Sequence, residues 1–269
     1  MNRTLRLETC SVLALVAECY NRGMKTILVC NWKMNPATWK DAKKLFDETK
    51  KAAQKARDVS VIIAPPSVYL RELAKVSRTI PLAVQHARAE EGGAHTGEIS
   101  LAQAADTKAS YAIVGHAESR ARGTTNADTN AQILAALALK MTPILCVGES
   151  ARSIQGEYFD VVRAQVKEAL TNVPQNRLAT IMIAYEPVWA IGAPKPMQPR
   201  DMHEMGIFIR KTIVQGWGEV GHAVTILYGG AVDSTNAATM RDEGDVRGFL
   251  VGRASAEPSK IKALIQSLA

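Results

Sequence analysis

Several things are missing from this chain, and each absence closes off a class. The four cysteines (Cys10, Cys19, Cys30 and Cys146) form no Cys-x-x-Cys pair and have no metal-ligand spacing to histidine. That argues against a disulfide scaffold or a zinc module and for reduced, intracellular thiols. None of the five histidines pairs with another at helical metal-binding spacing, so neither a metal nor an organic cofactor is expected. Aromatic residues are only 5% of the chain, and no basic run interleaves with them. The formal charge of +7 and pI near 9.3 therefore read as a basic surface that favours a small anionic substrate, not as a nucleic-acid face. No glycine-rich dinucleotide fingerprint follows the first apolar run. The apolar patch at 12–17 is far short of the ~20 residues that a bilayer-spanning helix needs, so no membrane association is expected.

What remains is an ordinary soluble composition, 47% hydrophobic and 22% charged over 269 residues. It is enough for one large barrel-type domain or two smaller ones. Residues 1–23 stand apart. Arg3 and Arg6 precede the apolar patch in the manner of a signal peptide, but Glu8 and Glu18 bracket it. They are expected to be an extension outside a single domain spanning 24–269. From Lys25 onward, short β-branched apolar runs alternate with longer helical patterns. The runs fall at 26–30, 59–64, 82–85, 111–115, 144–147, 180–185, 224–228 and 248–251. Helical stretches include 39–56, 130–140, 158–170, 200–215 and 259–268. The strands are apolar throughout rather than alternating, so both faces should be buried beneath helices. Eight such units predict an α/β fold, an eight-stranded parallel (β/α)8 barrel, with an open doubly wound sheet as the alternative.

The most informative segment is Tyr185-Glu186-Pro187-Val188-Trp189-Ala190-Ile191-Gly192, a carboxylate at the carboxyl end of a buried run, followed by a proline and a glycine-bearing loop. Such barrels keep their chemistry at the strand ends of that face. A lone glutamate there is ordinarily a solvated or capping residue, and a lone histidine is ordinarily structural. Here Glu186 has company: Asn31-Trp32-Lys33, Val114-Gly115-His116-Ala117-Glu118 and Tyr228-Gly229-Gly230-Ala231 all stand at other strand ends. Asn31 and Lys33, two apart in extended chain, project to one side. Glycines after the seventh and eighth runs, Gly229, Gly230 and Gly252, suit an anion cradle of backbone N–H groups.

In these four segments, and in their order, the chain from about Lys25 to its end resembles the triosephosphate isomerase family. The resemblance implies a (β/α)8 fold and the interconversion of dihydroxyacetone phosphate and D-glyceraldehyde 3-phosphate through an enediolate. It further implies work in glycolysis and gluconeogenesis, a cytoplasmic location and no cofactor. Glu186 would be the base and His116 the electrophile. A glutamate base beside a neutral histidine at a helix N-terminus is this family's own general scheme, carried over by the resemblance. Lys33 and Asn31 would stabilise the developing charge, and Glu118 would position Lys33. Phosphate would be held by Gly192, Gly229, Gly230, Ala231, Gly252 and Arg253. Residues 187–197 would form a lid anchored by Trp189, with Glu149 as that tryptophan's contact when the lid is open.

The departures from the family pattern are specific. Ala117 and Ala231 stand where serines are usual, Ser119 where an arginine is, Thr125 where a glutamate is, and Arg253 where a second glycine is. The lid tip and hinge read Ala193-Pro194-Lys195-Pro196-Met197, which restricts φ and removes N–H donors. Gln85, Thr96, Gly97 and Glu98 match the family's third loop, which implies a homodimer. His86 replaces an asparagine, and Glu98 lacks its customary arginine, so that contact is expected to be partly rewritten.

Overall fold

The computed structural model describes residues 25–190 and 197–269. The expected extension at 1–23 lies outside them, as do Gly192 and the lid tip. Eight parallel strands form: β1 Thr26–Asn31, β2 Val59–Ala64, β3 Ala83–Val84, β4 Tyr111–Val114, β5 Thr142–Val147, β6 Met182–Tyr185, β7 Thr225–Tyr228 and β8 Gly248–Val251. They pair in the order β2-β1-β8-β7-β6-β5-β4-β3. A parallel bridge between Ile63 and Leu82 brings the two ends of the sheet together. The sheet is thus a barrel with helices around it, and the open doubly wound alternative falls away.

Why these runs suit a barrel is visible in their alternation. Successive side chains of a strand point to opposite faces. Val29, Ile62, Ala83, Ile113, Ile144, Ala184, Leu227 and Leu250 pack against one another inside the barrel. Their neighbours Leu28, Cys30, Ile63, Val114, Leu145, Ile183 and Tyr228 pack outward under the helices. The helix Trp39–Lys55 shows the complementary pattern, burying Ala42, Leu45, Phe46, Thr49 and Ala52 at three- and four-residue spacing. Thr38 caps it by accepting the Asp41 N–H at 3.2 Å. Burying each large apolar side chain contributes about 1.5–3 kcal/mol, so Phe46→Ala should cost ~3–5 kcal/mol.

The same alternation positions the chemistry. Two residues beyond inward-facing Val29 and Ala184 are Asn31 and Glu186. Two beyond Leu227 and Leu250 are Gly229 and Gly252. The inward register therefore delivers a carboxylate, an amide and two glycines to the carboxyl-end mouth. Ladder bonds continue past the strands to hold them: Glu186 N–H donates to Val147 O at 2.8 Å, and Gly229 N–H to Tyr185 O at 2.8 Å.

Several boundaries differ from expectation for local reasons. The third strand, expected at 82–85, keeps only Ala83–Val84. Leu82 makes the single bridge to β2, and the Gln85 side chain turns to donate to the carbonyls of Lys33 and Ala64 at 2.9 and 2.8 Å. The sixth strand, expected from 180, starts at Met182 because Thr180 ends a 3₁₀ turn, its hydroxyl donating to Arg177 O at 2.6 Å. Gly115 leaves the fourth strand, with φ of 66°. The helix expected from 130 starts at Asn126. Thr125 and Asp128 form a capping box there, a signal strong enough to add a turn.

Candidate active site

All the site residues expected from sequence, apart from Gly192, line one cavity of about 1080 Å³ at the carboxyl ends of the strands. Asn31 and Lys33 come from the end of β1, His116 and Glu118 from the turn after β4, and Glu186 from the end of β6. Gly229, Gly230 and Ala231 follow β7, and Gly252 and Arg253 follow β8.

At its centre, Glu186 Oε1 lies 3.1 Å from His116 Nε2, while Oε2 accepts the Ala117 N–H at 2.9 Å. Glu186 is 3% exposed and His116 8%. Burial, the largest influence, raises the Glu186 pKa above the ordinary carboxylate value, although His116, the Ala117 N–H and Cys146 each pull it back. His116 caps the short helix Ala117–Ala121, its Nδ1 accepting the Glu118 N–H at 3.2 Å. A nitrogen that accepts a hydrogen bond carries no proton. The imidazole is therefore neutral, with its proton on Nε2, where it donates to Glu186.

Lys33 sits in the left-handed region, φ 52°. Its backbone is clamped from two sides: its N–H donates to Asn31 Oδ1 at 3.0 Å, and its carbonyl accepts from Gln85. Its ammonium pairs with Glu118 Oε1 at 2.5 Å. Burial alone would raise the Glu118 pKa, but the hydrogen bond and charge of Lys33 outweigh it and leave a net lowering. A Cβ at Gly252 would lie 3.1 Å from Lys33 Cε, and one at Gly229 would lie 2.8 Å from Glu186 Cγ. Both glycines thus give working side chains room.

At the lid's root, buried Glu149 gathers three donors on Oε1: Tyr185 Oη at 2.7 Å, Trp189 Nε1 at 2.8 Å and Arg152 Nε at 3.0 Å. The Trp189–Glu149 contact expected of an open lid is present. Arg152 lies over the rings of both Trp189 and Tyr158. In the third loop, Glu98 Oε2 lies 3.8 Å from His86 Nε2, and burial lowers the His86 pKa, so the histidine does not replace the missing arginine as a permanent countercharge. Thr125 spends its side chain on its own helix cap.

A family model described as Triosephosphate isomerase matches residues 26–268. The chain is a member of the triosephosphate isomerase family. Curated relatives named triosephosphate isomerase include one from Porphyromonas gingivalis, 39% identical over 250 residues, covering 90% of this chain and 99% of that one. Another is from Endomicrobium trichonymphae, 37% identical over 246 residues, covering 90% and 98%. A third, from Idiomarina loihiensis, is 33% identical over 246 residues, covering 90% and 97%. The family fold expected from the sequence is the fold observed.

Three residues packed around this candidate site carry contacts that the sequence alone does not assign. Gln85 was read as part of a loop match, not as the clamp on Lys33. Arg120 is half-buried behind His116, donating from Nε to Gly115 O at 2.8 Å and from Nη1 to Asn126 Oδ1 at 2.6 Å. Cys146 lies under Glu186, and burial followed by the glutamate's charge raises its pKa. Only Cys146 had a sequence signal, being the inward position two before Gly148. Among the described residues, no group of three His, Cys, Asp or Glu is placed to hold a metal. No described helix is long and apolar enough to cross a membrane.

Proposed function

We propose that this chain interconverts dihydroxyacetone phosphate and D-glyceraldehyde 3-phosphate, and that residues 24–269 form its one catalytic domain, with 1–23 outside it. The observation that carries the reading is the buried Glu186–His116 pair, 3.1 Å apart and sharing a cavity with the Lys33 ammonium. In the free site Glu186 spends both oxygens on His116 and the Ala117 N–H. Substrate takes over those partners.

The ionised Glu186 removes a proton from the carbon beside the substrate carbonyl, and the electron pair moves onto the carbonyl oxygen to give an enediolate. His116 Nε2–H polarises that oxygen and moves a proton between the two oxygens. Glu186 then returns its proton to the neighbouring carbon. The hydrogen moves as a proton throughout, so the reaction calls for no redox cofactor. Lys33 and the Asn31 amide face the developing negative charge, where fixed charges and dipoles in a water-poor site contribute most. Glu118 holds the lysine in place. Backbone N–H groups after β7 and β8, at Gly230, Ala231, Gly252 and Arg253, receive the phosphate together with Gly192 in the lid, while Gly229, whose N–H is held by Tyr185 O, shapes the turn beneath them. Closing that lid excludes water from the intermediate.

The chain works as a homodimer through the loop around 85–98, in the cytoplasm, within glycolysis and gluconeogenesis. Support for the dimer comes from the match of Gln85, Thr96, Gly97 and Glu98 to the family's third loop. Light scattering tests it: a mass of one chain at micromolar concentration removes the dimer. Turnover of glyceraldehyde 3-phosphate by the purified chain tests the reaction, and a folded chain that does not turn it over refutes the reading.

A further inference from the structure

The charged side chains around the cavity are paired off, with one exception among the described residues. Lys33 holds Glu118 at 2.5 Å, Lys260 holds Glu257 at 2.7 Å, and Glu186 has His116 at 3.1 Å. Asp233 accepts the Thr235 N–H at 2.8 Å. Arg253 lines the same cavity, is exposed, and has no hydrogen bond or ion pair.

The backbone beneath it is nonetheless fixed. Arg253 begins a 3₁₀ turn, Arg253–Ala256. Ser255, fully buried, ties that turn down, with its Oγ 2.8 Å from Val251 O, 2.7 Å from Gly252 O and 3.3 Å from the Asn31 carbonyl at the end of β1. A side chain on a pinned turn, free of partners and bordering the site, is poised to meet whatever enters.

The charge balance of the lining gives that freedom a use. With His116 neutral, the other ionised groups bordering the cavity are Glu118, Glu186, Asp233 and Glu257 against only Lys33 and Lys260. Without Arg253 the lining is net negative by two, a hostile setting for a dianion. A guanidinium is permanently charged and presents a planar fork of N–H donors that matches phosphate oxygens two at a time.

We infer that the Arg253 guanidinium is an anion-binding group of this site, pairing with the substrate's phosphate and supplementing the backbone N–H groups after β7 and β8. The identity of the phosphate's carrier rests on the isomerase reading above; the anion site itself does not.

The test uses Arg253→Gln, which removes the charge but keeps donors, with Arg253→Lys and Arg253→Gly beside it. Inorganic phosphate is titrated calorimetrically at low ionic strength, and KM, kcat and their salt dependence are measured with glyceraldehyde 3-phosphate. Arg253→Gln should weaken phosphate binding and raise KM by about tenfold, the scale of a hydrogen bond to a charged group. It should leave kcat within about twofold, the pattern of a binding contact made equally in ground and transition states. Arg253→Lys should fall between, and the salt dependence of KM should flatten in Arg253→Gln. Folded Gln and Gly variants that bind phosphate and substrate as the parent does would overturn the inference. If the parent turns over no triose phosphate, a tenfold loss of phosphate binding in Arg253→Gln still upholds the anion site while the isomerase reading falls.

Discussion

Glu186 and His116 meet at 3.1 Å, one delivered by the inward register of β6 and the other by the turn after β4. A base fixed by a strand ladder has little freedom to compensate for a change in its own length. Glu186→Asp shortens it by one methylene, and a misplacement of about 1 Å can cost ~10²-fold in rate. The expected result is a fall of that size in kcat with a circular dichroism spectrum and melting curve close to the parent's. A variant retaining parental kcat would remove Glu186 as the base.

The buried setting of Glu186 also has a pH signature. Desolvation raises its folded-state pKa above the ordinary glutamate value of 4.5, and only the ionised form can take a proton. The acid limb of kcat/KM should therefore lie above 4.5, where an exposed glutamate would titrate. The stability sign follows from the same shift. Above the folded pKa the native state bears the cost of a buried charge; as pH falls, it binds the proton before the unfolded chain does, and the cost disappears. Glu186→Gln should therefore raise Tm at neutral pH, and the advantage should shrink as pH drops toward 4.5. Calorimetric scans across pH check this, and an advantage independent of pH would contradict it.

How far the sequence revealed this site depended on whether a residue's task was local. Asn31, Glu186, Gly229 and Gly252 were legible because strand alternation and the ends of apolar runs are local patterns. So was the capping histidine, which stands two residues past the end of β4. The Gln85 clamp on the Lys33 carbonyl spans 52 positions, and nothing near Gln85 in the chain announces it. The Arg120 fork behind His116 reaches Gly115 O and Asn126 Oδ1, contacts that no local pattern announces. β3 was overdrawn because Leu82 and Gln85 look like strand residues, yet one makes a lone bridge and the other turns its amide to another loop.

The Lys33–Glu118 pair should matter to catalysis far more than to stability. Its side chains are 37% and 51% exposed, and exposed ion pairs contribute about 0–1 kcal/mol. Glu118→Gln should leave Tm nearly unchanged and lower kcat with little change in KM, because the loosened ammonium no longer faces the developing charge. Glu118→Asp should recover part of that loss. A drop in Tm without a kcat effect would make the pair merely structural.

Gly229→Ala tests the space beside the base. A Cβ there would come within 2.8 Å of Glu186 Cγ, closer than non-bonded carbons tolerate, so the glutamate must shift. The expected loss is again in kcat, on the order of 10²-fold for a displacement near 1 Å. Ala at 230 would instead meet the Tyr228 ring and should destabilise the loop. Parallel kinetics and thermal melts separate the two effects.

The root of the lid calls for the opposite expectation from Lys33–Glu118, because here the charge is buried. Glu149 is 1% exposed and takes three donors on one oxygen. Arg152 supplies the countercharge, with a side chain 20% exposed. Glu149→Leu strands the Arg152 charge and leaves the Tyr185 hydroxyl and Trp189 N–H without their shared acceptor, so the loss should approach ~3–5 kcal/mol. Glu149→Gln keeps an acceptor for the tyrosine and tryptophan but loses the charge, and should cost less, about 1–3 kcal/mol. Urea denaturation measures both. Because Trp189 stands next to the lid segment, the Gln variant should also show altered tryptophan fluorescence and a raised KM for triose phosphate. If both variants match the parent in stability, Glu149 does not anchor the lid, and Arg152 stacked on Trp189 holds it alone.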